Sequence, residues 1–258
     1  MNALLLRRGL LLVFVAGLLM AVVAGVYLYR RFFPPRLLQL PRYDRVREWW
    51  DDPSAHQDWA IQAGERCGAA PFIMPTNGFI GFIWDDSFRV GHRHQGLDIF
   101  GGQEVNQTPV IAAASGYLTR LADWKSTVII RIPDDPLQPG RQIWTYYTHM
   151  ADPQGNSFIA PEFPPGTIEA YVEAGTLLGR QGNYSGTPDN PTGVHLHFSI
   201  VLDDGQGSFR NELDINNTLD PSPYLELPLN ANLNDSMIPI CQSEAQPSDF
   251  SDDVGIRD

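Results

Sequence analysis

The pattern of apolar and polar positions divides the chain into an apolar block, a broken segment and a long stretch of short alternating runs. Leu10 to Tyr29 is an unbroken run of twenty residues without a charged or strongly polar side chain, bracketed by Arg7-Arg8 and Arg30-Arg31. At about 1.5 Å of helical rise per residue it spans about 30 Å, the thickness of a bilayer's hydrocarbon core. This predicts a single N-terminal transmembrane helix over residues 10–29, behind a stub of residues 1–9. A cleaved signal peptide would carry a shorter apolar region and a small-x-small site, of which Ala21–Gly25 is a poor version. Residues 30–66 read as a juxtamembrane linker, rich in Arg and then in Trp, broken by Pro34-Pro35 and Pro53 with room for short helices between them. Its tryptophans, Trp49, Trp50 and Trp59, suit either a membrane interface or packing on the domain that follows.

From Pro71 the texture becomes β-like. Runs such as Phe79–Trp84, Pro109–Leu121, Thr127–Ile132, Gln142–His149, Thr176–Arg180 and Val194–Leu202 are separated by Gly, Pro, Asn and Asp. No comparable helical period interrupts them. The expected fold class is mainly β: one predominantly antiparallel sheet domain over residues 67–241, following the anchor. Residues 242–258 are polar and acidic and are expected to be a disordered tail.

Charge and cysteine content narrow the picture. The net charge is −12, and residues 67–228 carry eight basic against eighteen acidic side chains. An acidic domain without basic clusters is a poor partner for nucleic acid. Four arginines after the apolar run, Arg36, Arg42, Arg45 and Arg47, would hold that side in the cytoplasm by the positive-inside rule, but the rule weakens for a large domain after a first helix. The expected location is the cell membrane, single-pass, with the domain outside the cytoplasm. The two cysteines, Cys67 and Cys241, stand at the edges of the patterned region, where they form either a disulfide or two unrelated buried thiols.

The candidate chemistry lies in the histidines. The chain has six, and His94, His149, His195 and His197 fall in the β-patterned segments together with Asp98. Side chains at i and i+2 of a strand share a face, so Val194-His195-Leu196-His197-Phe198 turns two imidazoles one way and three apolar residues the other. His94 and Asp98 share a face if Gln95–Phe100 is extended, with Leu97 and Ile99 packing inward. His149 ends a third run. Three protein ligands and an open fourth position make a hydrolytic zinc site, and two further imidazoles would remain for proton transfer. His92-x-His94 is a second pair of the same spacing, but only His94 stands four residues before the aspartate. His56 lies in the linker and is not assigned to the site.

The order Gly91-His92-Arg93-His94-Gln95-Gly96-Leu97-Asp98-Ile99, then Thr108–Gly116, Tyr147-Thr148-His149-Met150, Gly175–Gly182 and His195-Leu196-His197-Phe198 resembles the lysostaphin-type (LytM-like) zinc metallopeptidases. The resemblance covers residues 71–225 and is carried by the ordered set rather than by any one fragment. It implies that His94, Asp98 and His197 hold a Zn²⁺ ion and that His149 and His195 are the catalytic histidines. It also implies a zinc endopeptidase acting on peptidoglycan peptides, or alternatively a non-catalytic member that binds the wall or activates another hydrolase. Three features depart from the family pattern. Ser199 stands where members often carry an acidic residue, the loop Asn183–Gly193 is long, and Phe88 is the nearest equivalent of a tyrosine that some active members carry upstream of the first ligand.

Overall fold

The computed structural model describes residues 16–27, 41–87, 91–234 and 237–241. Two compact units are distinguished, one of residues 1–40 and 88–92 and the other of residues 41–87 and 93 onward. In the first, residues 16–27 form a helix, α1, with apolar side chains such as Leu18, Met20, Val23 and Tyr27 exposed. No helix among the described residues is long and apolar enough to cross a membrane. The flanks of the expected span, residues 10–15 and 28–29, lie outside the described residues, as do Phe88 and the tail 242–258.

The second unit begins with α2 (Pro41–Asp51), a 3₁₀ segment (Pro53–Trp59) and β1 (Ala60–Ile61). The strands β2 (Gly78–Phe82), β3 (Leu97–Phe100), β4 (Pro109–Ile111), β5 (Gly116–Thr119), β6 (Val128–Ile132) and β7 (Ile143–Thr148) follow. The chain continues through β8 (Ala170–Val172), β9 (Leu177–Arg180), β10 (Leu196–Leu202), a 3₁₀ turn (Ile215–Asn217), β11 (Thr218–Leu219) and α3 (Ser222–Leu225). One sheet runs β1-β2-β3-β10-β7-β6-β5-β8, with β11 also paired to β10 and a separate β4–β9 ribbon. Every strand pairing is antiparallel. The mainly β, antiparallel expectation therefore holds for this unit.

Alternation explains the layering. Leu97, Ile99, Leu196, Phe198 and Ile200 are fully buried on one face and join Ile80, Val128, Ile130 and Tyr147 in the main core. The opposite face of the same strands carries the polar residues of the site. Each large side chain buried in such a core contributes about 1.5–3 kcal/mol.

The linker is more structured than its composition suggests. Val46, Trp49 and Trp50 fall at i, i+3 and i+4 of α2, the spacing of one helical face. Val46 and Trp49, each 1% exposed, pack with Phe79, Phe82 and Phe100 of β2 and β3, and Trp50 meets Phe100 edge-on at 5.3 Å. Trp49 is thus a packing residue of the domain, and α2 belongs to the same compact unit as the sheet. Cys67 and Cys241 are joined in a disulfide that closes a separation of 174 residues.

Candidate metal centre and catalytic histidines

The sheet register assembles the site. His197 on β10 stands directly opposite Asp98 on β3 and opposite Thr148 on β7. Directly opposed residues in antiparallel strands point to the same face, so His197 and Asp98 meet although 99 residues separate them. His94 lies just before β3, fixed by a hydrogen bond from its backbone N–H to the Asp86 carbonyl at 2.7 Å. Gly96 lets the chain pass close to β10, because a Cβ there would lie 2.2 Å from the Phe198 carbonyl oxygen and 2.8 Å from the Ser199 Cβ.

Three ligand atoms converge. His94 Nε2 is 3.0 Å from Asp98 Oδ1 and 3.1 Å from His197 Nδ1, and His197 Nδ1 is 2.8 Å from Asp98 Oδ1. Around a tetrahedral centre with bonds of about 2.0–2.1 Å, ligand atoms stand about 3.3 Å apart, so the triangle fits a zinc-sized ion with small relaxation. The outer nitrogens agree with that reading. His94 Nδ1 donates to the Ile83 carbonyl at 3.0 Å and His197 Nε2 to Glu212 Oε1 at 2.8 Å. With those protons committed, His94 Nε2 and His197 Nδ1 present lone pairs to each other, an arrangement that a shared cation stabilises. His94, Asp98 and His197 are 3%, 8% and 7% exposed, which leaves the group few solvent contacts of its own.

Electrostatics follow from the same contacts. Burial works against the charged form of Asp98, but the imidazoles of His94 and His195 outweigh it and hold the carboxyl well below its ordinary range. Burial also works against a charged His197, yet Asp98 and Glu212 together push it up to about 10 in the metal-free site. A cation in the triangle would take the place of that proton.

The other two imidazoles stand beside the triangle. His195 Nδ1 donates to the Gly193 carbonyl at 2.7 Å, and its Nε2 lies 3.5 Å from Asp98 Oδ1. His149 Nδ1 donates to the Tyr184 carbonyl at 2.7 Å, and the two rings are 4.5 Å apart. Each therefore keeps an Nε2 lone pair available for a proton. Burial, then His195, lowers the pKa of His149 to about 3, so this imidazole is neutral at ordinary pH. His149 sits just past the end of β7 with φ 73°, a strained setting for a residue with a side chain. Gly182 accommodates that turn: a Cβ there would stand 2.2 Å from the Ala151 carbonyl oxygen and 2.6 Å from that of His149.

All five residues singled out in the sequence thus occupy one region of one sheet face. Among the described residues, only His94, Asp98 and His197 form a set whose ligand atoms all lie within 4.8 Å of one another. His195 is not part of that set. His56 stacks on Trp59 at 3.9 Å and takes no part, and His92 groups with the other compact unit. Sequence reasoning missed Glu212, which no spacing links to the histidines. The short helix α2 falls where the prolines left room for one, but its contact was not foreseen: Trp50 lies so near Gly193 that a Cβ at that glycine would come within 2.4 Å of the indole.

No family model and no curated protein matches the chain. Among solved structures, it is similar to the catalytic domain of the antimicrobial peptidase lysostaphin from Staphylococcus simulans. That match has 21% identity, covers 58% of this chain and 89% of that chain, and has a TM-score of 0.36. It is similar to a lytM protein of Ruminococcus gnavus at 24% identity, covering 54% of this chain but only 47% of that one, with a TM-score of 0.33. A catalytic-domain variant of the prophage-encoded M23 protein EnpA from Enterococcus faecalis matches at 19% identity, 58% and 95% coverage and a TM-score of 0.34. Lysostaphin and lytM structures are therefore among the solved structures to which the chain is similar, each at under 25% identity.

Proposed function

We propose that the chain is a membrane-anchored zinc metalloendopeptidase that hydrolyses peptide bonds of peptidoglycan outside the cytoplasm. The observation that carries this reading is the convergence of His94, Asp98 and His197 on one point, beside two imidazoles with lone pairs to spare. The substrate class rests on the resemblance of the ordered motifs to the lysostaphin-type family. The anchor rests on the apolar run 10–29. The Cys67–Cys241 disulfide supports a location outside the cytoplasm, since such bonds persist in oxidising compartments.

Zn²⁺ would be held by His94 Nε2, Asp98 Oδ1 and His197 Nδ1, and when bound it supplies Lewis acidity toward water and a peptide carbonyl. The protein's own part is proton handling. His149, fixed through its Nδ1 to Tyr184, keeps its Nε2 free to accept a proton. His195, fixed through its Nδ1 to Gly193, presents a second Nε2 to the same space, and the proton accepted by His149 is the one the departing amine receives, delivered from His149 or relayed through His195. The completeness of the five-residue set favours this reading over a non-catalytic wall-binding module.

The test is incubation of the full chain, in detergent, with purified peptidoglycan, followed by mass spectrometry of released fragments with and without chelator. New amino termini that vanish with chelator and return with zinc are the expected result. A folded, zinc-loaded chain that releases nothing from several wall types would overturn the enzymatic reading.

A further inference from the structure

Glu212 is a buried carboxylate to which the reaction outlined above gives no task. It lies on the segment between β10 and the 3₁₀ turn, 9% exposed, and its Oε1 accepts the His197 Nε2 proton at 2.8 Å. That is the only hydrogen bond to His197 Nε2 among the described residues. Position 199, in phase with His197 on β10, is the nearer place on the strand for such an acceptor, but it holds a serine. Ser199 is 1% exposed, and its hydroxyl is buried without a hydrogen-bond partner. Its Cβ lies so close to Gly96 that a methyl group there would approach it to 2.8 Å, so a longer side chain at 199 would be confined. The carboxylate reaches His197 from another part of the chain.

An imidazole that binds a metal through Nδ1 must carry its proton on Nε2, and a free ring exchanges between that tautomer and the other. A carboxylate on Nε2 selects the binding tautomer, fixes the plane of the ring and makes Nδ1 a better donor. We propose that Glu212 is a positioning residue that locks His197 as a metal ligand and sets the affinity of the His94–Asp98–His197 group for zinc, in place of an acidic residue at Ser199. This rests on the reading of that group as a zinc site. Removing such a partner typically weakens metal binding by about 10–100-fold.

The experiment is competition of the metal-free full chain against a chromophoric zinc chelator, for the wild type, Glu212→Ala, Glu212→Gln and Asp98→Ala, with thermal unfolding as a check on folding. Glu212→Ala should weaken zinc binding by about 10–100-fold. Glu212→Gln keeps an uncharged acceptor and should fall between it and the wild type. It also decides the matter if the alanine variant does not fold. A second readout is the His197 Nε2–H proton resonance of the zinc-loaded chain. It should be observed in the wild type and lost to solvent exchange in Glu212→Ala. Unchanged zinc affinity in both Glu212 variants, with Asp98→Ala abolishing binding, would overturn the role of Glu212 and leave the zinc site standing. A wild-type chain that takes up no zinc would overturn the site and this inference together.

Discussion

Acidifying the metal-free protein from about pH 7 to pH 5 should destabilise it chiefly through one side chain, His149. Its pKa is lowered to about 3 from 6.5, chiefly by burial and next by the adjacent His195. The folded chain therefore keeps this imidazole neutral, whereas the unfolded chain binds a proton once the pH falls below about 6.5. Protons bound only by the unfolded state favour unfolding, so stability falls with pH from about 6.5 toward 3, at up to 1.36 kcal/mol per unit. Between about pH 7 and pH 5 the loss amounts to about 2 kcal/mol, and any folded-state value below about 4 gives the same figure. His197 has the opposite sign: its contribution is complete below 6.5 and is lost as pH rises through about 10. Over the same interval it returns less than about 1 kcal/mol. The assay is urea unfolding followed by tryptophan fluorescence, with chelator, at both pH values, for the wild type and His149→Gln. Subtracting the two cancels the titrations they share. The wild type should lose about 2 kcal/mol more than the variant. Losses equal to within about 0.5 kcal/mol would show that His149 already carries a proton at pH 5 in the folded state, and the lowered pKa described above would be refuted.

The remaining predictions concern the proton carriers, the disulfide and a close backbone approach. His149→Ala and His195→Ala should each retain zinc in a chelator competition while losing about 10²–10⁴-fold in peptidoglycan hydrolysis. Full activity in either variant would remove that residue from the mechanism. Reducing the Cys67–Cys241 bond releases a constraint over 174 residues, for which chain entropy gives about 5 kcal/mol and comparable bonds about 2–4. Urea unfolding with and without reductant reads this directly, and a difference below about 1 kcal/mol would contradict it. Gly182→Ala places a methyl group against the carbonyls of Ala151 and His149, and should reduce turnover more than zinc affinity. Equal reduction of both would mean that the disturbance is not confined to His149.

The parts of the molecule that follow from local alternation were legible in the sequence. Leu97, Ile99, Leu196 and Phe198 are in the core, and Asp98 and His197 share the opposite face because a strand has only two faces. Five of the six runs correspond to single strands, and Pro109–Leu121 splits into β4 and β5. β1 and β11 have two residues each and β8 three, too few to show a period. The contacts between distant parts of the chain were not legible. Glu212 on His197 and Trp50 against Gly193 each depend on where the sheet brings remote segments, and no spacing encodes that; the Cys67–Cys241 pairing was one of two readings the sequence left open. At Ser199 the residue type signalled a missing acid, but not where its replacement would come from.

The packing of α2 bears on how the protein can be cut for experiment. A version trimmed to begin at Ala60 would retain all three ligands, both catalytic histidines and the disulfide. It would also strip Val46, Trp49 and Trp50 from Phe79, Phe82 and Phe100. Exposed aromatic surface of that kind promotes self-association. The Gly193 backbone that orients His195 would lose the indole lying against it. A sluggish or aggregating preparation of that trimmed form would report a misplaced boundary rather than absent chemistry, and the shortest informative version begins ahead of Pro41.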